Sequence, residues 1–186
     1  ANADVLPLNF TQWYSTVSNY LTEIINETES MRKDVLKHNK MVDKNTYQLA
    51  ADPTKKIKSP SKKDMVPYID FSPLQNELVI LNESITEFEK INTTSLSIEM
   101  RNELNKKLMK AEHMLTSEKG LPRRPWFKHQ IYAPGFYTGY GVKTLPGVRE
   151  AIEQKDWKEA QEQIEILTST FKSFNTFIIE MNASIK

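Results

Sequence analysis

The 186-residue sequence predicts an all-α fold: a four-helix-bundle-like domain with a long ordered aromatic and glycine-rich loop before the last helices. Three observations predict it. Apolar residues recur at three- and four-residue steps over long stretches, as amphipathic helices require. No stretch alternates with the period of two expected of a half-buried strand. Residues 120–147, GLPRRPWFKHQIYAPGFYTGYGVKTLPG, hold all five glycines, four of the nine prolines and six of the eighteen aromatic residues. A loop of that length is functional or disordered, and its aromatics (Trp126, Phe127, Tyr132, Phe136, Tyr137 and Tyr140) argue against disorder. Gly135, Gly139 and Gly141 admit two readings: positive φ in a tightly packed loop, or a loop shaped to pack on something outside the bundle.

The elements follow in order. The apolar entry DVLPLNF is broken by Pro7, and Asn9 or Thr11 is positioned to cap a first helix. Trp13, Val17, Tyr20, Leu21, Ile24, Ile25, Met31, Val35 and Leu36 form its stripe, which should end between His38 and Asp43. Residues 41–73 then form a basic, proline-containing connection. Tyr47, Leu49 and Ala50 suit a short helical turn there, and Tyr68, Ile69 and Phe71 are expected to pin its end to the core. Ser72-Pro73 opens a second helix, Ser as cap and Pro at the first helical position, with Leu74, Leu78, Leu81, Ile85 and Phe88 inward. After the polar break at 92–95, Leu96, Met100, Leu104, Leu108, Ala111 and Leu115 predict one third helix, with Gly120 as its left-handed cap. Leu145-Pro146-Gly147 opens a short helix, and Asp156 caps the last, whose inward residues run from Trp157 to Met181.

Composition bounds the chemistry. The chain has 25 basic and 24 acidic residues, so no global field selects nucleic acid or anionic lipid. Residues 32–63 are uneven, with ten Lys or Arg against three Asp. That run is a solvated linker or a site for an anionic partner. Cysteine is absent, which removes disulfides and thiolate ligands. No apolar run approaches the ~20 residues of a membrane helix. Ala1 in place of an initiator Met gives the expectation of a piece cut from a longer protein. Five Asn-x-Ser/Thr sequons occur, at Asn9, Asn26, Asn82, Asn92 and Asn182, and lean only slightly toward an extracytoplasmic location. His38, His113 and His129 share no metal-ligand spacing; the first two read as solvated and the third as a satisfied structural histidine. Glu99 and Glu103, one turn apart, read as a solvated face. No catalytic or metal residues are expected in this chain, and no cofactor.

The run GLPRRPWFKHQIYAPG resembles the segment before the last helices of the glutamate carboxypeptidase II and transferrin receptor family. Gly120, Leu121, Pro122, Arg124, Pro125, Trp126, Phe127, Lys128, His129, Ile131, Tyr132, Ala133 and Pro134 occupy the motif in order, and Leu145-Pro146-Gly147 matches its step into a helix. Leu6-Pro7 after Ala3-Asp4-Val5 is similar to the family's domain junction. The resemblance implies that residues 1–186 are one helical dimerisation domain, C-terminal to a di-zinc peptidase domain that this sequence lacks. It implies a homodimer through the helical domain, with the peptidase domain of the same protein as the other partner and zinc confined to it. It also implies that the loop at 120–147 contributes to the substrate pocket of the intact protein. Aligned without a gap, the family's substrate-holding Lys-Tyr pair falls on Gly139 and Tyr140. Tyr140 is thus the candidate substrate-binding residue, and the cation is lost. Trp126, Phe127, Tyr132, Phe136 and Tyr137 are the candidate interface residues. The alternative is a stand-alone helical binding module that takes an anionic partner through residues 32–63.

Overall fold

In the computed structural model, which describes residues 5–55 and 58–185, the chain is all-α apart from one small hairpin. Ala1, Ala3, Asp4 and Lys56, the last one of the ten basic residues at 32–63, lie outside the described residues. Helix α1 (Phe10–Asp43) starts where Asn9 accepts a hydrogen bond from the Gln12 amide at 2.8 Å. Such a cap satisfies one of the donors that the first helical turn leaves free. Phe10, Val17, Leu21, Ile24 and Thr28 are its buried residues, so only the first half of the helix enters the core.

The second half is covered by the connection. Arg32 Nη2 donates to the Pro67 carbonyl at 2.7 Å, and Asn39 exchanges two hydrogen bonds with the Lys63 backbone, both at 2.8 Å. His38 lies 3.0 Å from both the Tyr47 hydroxyl and the Ser61 carbonyl. The expectation of a solvated His38 is thereby corrected: the ring ties α1 to the connection. Within that connection lies the short helix α2 (Thr46–Leu49). Ile69 and Phe71 are buried, but Tyr68 is 75% exposed beneath the Arg32 guanidinium. Successive side chains of an extended segment face opposite sides, which is why Tyr68 does not pin the core as its neighbours do.

Helix α3 (Ser72–Glu89) carries Pro73 in its first turn as predicted, but Ser72 is not its cap. Asp70 accepts from the Ser72 amide at 3.0 Å and the Ser72 hydroxyl at 2.5 Å, and these bonds lower its carboxyl pKa. Leu74, Leu78, Leu81 and Ile85 form the buried stripe. The expected third helix divides. Helix α4 (Ile98–Leu108), capped by Ser97, gives way to a 3-10 turn at Ala111–Leu115 that lays Ala111 and Leu115 into the core. Met100 faces solvent rather than the core. Gly120 has φ +63° but lies beyond that turn and caps no helix.

Helices α5 (Pro146–Glu153) and α6 (Trp157–Ala183) close the fold, with Asp156 accepting from the Glu159 amide at 3.0 Å to cap α6. Phe171, Phe174, Ile178 and Met181 of α6 are essentially inaccessible. Asp70 meets Gln161 near the start of α6, and Ser84 meets Asn182 near its end, so α3 and α6 run parallel. Phe10 and Trp13 pack edge-on against Phe174 and Phe171, which sets α1 antiparallel to that pair. Between α4 and α5, residues 120–147 are not the strandless loop expected. Strands β1 (Tyr132–Pro134) and β2 (Val142–Thr144) pair antiparallel, with Ala133 opposite Lys143.

Candidate functional site

The hairpin is held by one buried ion pair. Arg124 donates through Nη2 to Glu150 Oε2 at 2.7 Å, and the two side chains are 3% and 6% exposed. Arg124 Nη1 donates to the Pro134 carbonyl, while the other Glu150 oxygen accepts from the Phe136 amide at 2.8 Å. One arginine and one glutamate therefore join the loop before β1, the far end of β1 and helix α5. Phe127 and Phe136 each lie within cation–π range of the Arg124 guanidinium, at 5.7 and 5.9 Å. Beside them, Arg123 forms a two-pronged pair with Glu159 of α6 at 2.8 and 2.9 Å and lies 5.5 Å from the Phe136 ring. On the other side, Arg149 of α5 reaches Glu23 and Glu27 of α1, at 3.2 and 3.0 Å.

The base of the hairpin carries a second cluster. The Tyr132 hydroxyl donates to Glu112 at 2.6 Å, which holds the phenol neutral and pushes its pKa up to about 12. His129 stacks on Tyr132 with ring centroids 4.4 Å apart. Its Nδ1 accepts from the Ile131 and Tyr132 amides, so the ring proton belongs on Nε2. Nε2 lies 2.8 Å from Glu112, close to the carboxylate but without the alignment of a hydrogen bond.

The tip is the opposite in character. Gly135 donates to the Gly141 carbonyl at 2.8 Å and closes the turn, with Gly139 at φ +60°. Tyr140 stands wholly outside the bundle, at 105% exposure, and its hydroxyl has no hydrogen-bond partner among the described residues. Tyr137 is 71% exposed and donates to Gln154 at 3.3 Å. Trp126 is equally exposed, with Phe127 half-buried beside it. The structure thus brings Phe127, Phe136 and Tyr137 around the arginines and sets Tyr132 apart on Glu112. Lys143 pairs with Glu153 at 2.6 Å. Among the described residues no three His, Cys, Asp or Glu side chains cluster as metal ligands, and no helix is long and apolar enough to cross a membrane.

Residues 69–178, from the end of the connection through the hairpin to most of α6, match the family described as transferrin receptor-like dimerisation domain. The chain belongs to that family. Among curated relatives of this dimerisation domain, a probable glutamate carboxypeptidase of Arabidopsis thaliana is 30% identical over 171 residues, covering 88% of this chain and 20% of its own length. A probable glutamate carboxypeptidase of Arthroderma benhamiae is 30% identical over 103 residues, 53% of this chain and 14% of the relative. An inactive zinc metalloprotease of Schizosaccharomyces pombe is 29% identical over 101 residues, 51% of this chain and 13% of the relative. The dimerisation domain thus spans a fifth or less of the length of these relatives.

Proposed function

We propose that residues 1–186 act as one unit that pairs two copies of a longer peptidase-family protein and lends the hairpin tip to that protein's substrate pocket. Tyr140 is the substrate-facing residue, its hydroxyl donating to a substrate carboxylate. Trp126, Phe127, Tyr132, Phe136 and Tyr137 supply the surrounding contact surface, Phe127 and Tyr132 chiefly by bracing it. A di-zinc peptidase domain is the partner within the same chain, with the zinc held there. The observation that carries this reading is the complete exposure of Tyr140 on a tip whose backbone is closed by its own hydrogen bond. A bulky phenol held in water by a fixed turn suits burial by another surface.

The test is Tyr140→Phe in the intact protein. Losing one hydrogen bond to a carboxylate should lower kcat/KM by about two- to twelvefold, from roughly 0.5–1.5 kcal/mol, with the melting temperature unchanged. Unchanged kinetics would return the residue to the surface.

One observation favours a second reading. Lys33, Lys37 and Lys40 fall on one face of α1 at helical spacing, and Lys44 just past its end lines the adjoining groove with Lys62 and Lys63 of the connection. An anionic partner would bind there, and Lys37→Glu with Lys40→Glu should abolish salt-sensitive retention on heparin if it does.

A further inference from the structure

Only the first half of α1 enters the core, and its second half, with the connection, carries a local surplus of cations on a nearly neutral chain. Arg32, Lys55 and Lys62 pair with Glu29, Asp52 and Asp43, at 2.7, 3.8 and 2.6 Å. Lys33, Lys37, Lys40, Lys44, Lys58 and Lys63 have no carboxylate partner among the described residues. Against them stand two unpaired carboxylates, Asp34 and Asp64. Aliphatic side chains lie among these lysines. Leu36 and Met65, 47% and 53% exposed, line one open groove with Lys37, Lys40, Lys44 and Lys63. A second groove shares residues 62–65 with the first and is also lined by Lys155 and Trp157. Leu49 of α2, at the same end of α1, is 83% exposed.

The lysines set the sign of the partner, and the aliphatics choose among anions. Single-stranded nucleic acid is held partly by stacking successive bases on rings, and the two grooves offer one ring, Trp157. A soluble polyanion would neutralise the lysines and leave Leu36, Leu49 and Met65 in water. An anionic lipid surface satisfies both kinds of side chain. The ammonium groups meet lipid phosphates, the aliphatics enter the acyl boundary, and the lysine stems span the two depths. A cluster of this size is enough to draw a protein to such a surface. Screening confines the attraction to about 8 Å at physiological salt, so the local surplus matters and the near-neutral total does not. We propose that the second half of α1 and the connection form a peripheral docking surface for anionic phospholipid membranes. This rests on the second reading above, in which the lysine groove takes an anionic partner.

The test is co-sedimentation of the intact protein with vesicles of phosphatidylcholine, alone or with about 30% phosphatidylglycerol, alongside retention on heparin. Binding is expected only with the anionic vesicles and should fall as salt rises. Lys37→Glu with Lys40→Glu should weaken it by about thirtyfold or more, from roughly fivefold per lysine lost. If the charge reversals prevent folding, Lys40→Gln with Lys63→Gln removes two cations of the same groove and should act in the same direction. Leu36→Gln with Met65→Gln should weaken vesicle binding at least about threefold and leave heparin retention unchanged, a split that a purely ionic contact would not give. Vesicle binding indifferent to the Leu36 and Met65 pair, or equal on the two lipid compositions, overturns the proposal. Heparin retention without vesicle binding overturns it and keeps the reading of an anionic partner. Failure on both vesicles and heparin overturns the two together.

Discussion

Glu150 is the residue on which the hairpin depends most. It is the buried partner of Arg124 and also accepts the Phe136 amide, so Glu150→Ala leaves a guanidinium and an N–H without their acceptor. Breaking a buried pair from one side costs about 3–5 kcal/mol, and urea denaturation of Glu150→Ala should show a loss of that order. A loss below about 1 kcal/mol would mean that water reaches Arg124. Tyr132 gives a pH-dependent signature. Its phenol is held neutral by Glu112, with a folded pKa of about 12 against an ordinary value of 10.0. The stabilisation is therefore fully present below pH 10 and is lost as pH rises toward 12. Ultraviolet titration should show one of the seven tyrosines ionising late, and Tyr132→Phe should remove that late step. Neither cluster was legible in the sequence. Arg124 and Glu150 are 26 positions apart, and nothing in residue type distinguishes their charges from two dozen solvated ones. Residue type likewise misplaced Tyr68 and Met100, because apolar character does not say which way a side chain faces. Ser72 does not cap α3 because its own amide and hydroxyl both donate to the Asp70 carboxylate two residues upstream.

At the scale of elements, the long helices were legible because their stripes are long. Leu74, Leu78, Leu81 and Ile85 of α3 repeat often enough to fix both the helix and its buried face. The hairpin was not, since strands of three residues are too short to show a period of two and β1 ends in Pro134. The glycine concentration marked its location without giving its form. Gly120 and Gly139 explain why, and they make a matched pair of tests. Both have left-handed backbones, at φ +63° and +60°. A Cβ on Gly120 would fall 2.2 Å from the Pro125 carbonyl oxygen, whereas one on Gly139 meets nothing within 4 Å. Gly139→Ala should therefore cost only the left-handed penalty of about 1–2 kcal/mol. Gly120→Ala adds a backbone clash and should be clearly more destabilising by chemical denaturation. Equal losses in the two variants would show that the turn at Gly120 relaxes freely.

Taken whole, the molecule leaves apolar surface on the parallel pair α3 and α6, away from the hairpin. Val79 and Ile80 of α3 and Ile179 of α6 are each close to half exposed or more. Ile179 shares a shallow groove with Ser84, one turn beyond Ile80, so these residues border one face. Single exposed aliphatics are ordinary on a protein surface, but a shared strip on two packed helices is what a dimerisation domain can bury against a second copy. A stable dimer needs about 1,200–2,000 Å² of buried surface, more than this strip alone provides. The contact is therefore expected to extend from α3 and α6 to neighbouring surfaces. Sedimentation velocity over a concentration series should show a monomer–dimer equilibrium. Ile80→Glu with Ile179→Glu should shift it to monomer by placing carboxylates in the contact, while the melting temperature stays within a few degrees because both side chains already meet water. A dimer indifferent to those substitutions would place the contact on another surface, with Trp126 and Tyr137 the next residues to change. A wild-type chain that stays monomeric at the highest concentrations would mean that pairing requires surface from outside residues 1–186.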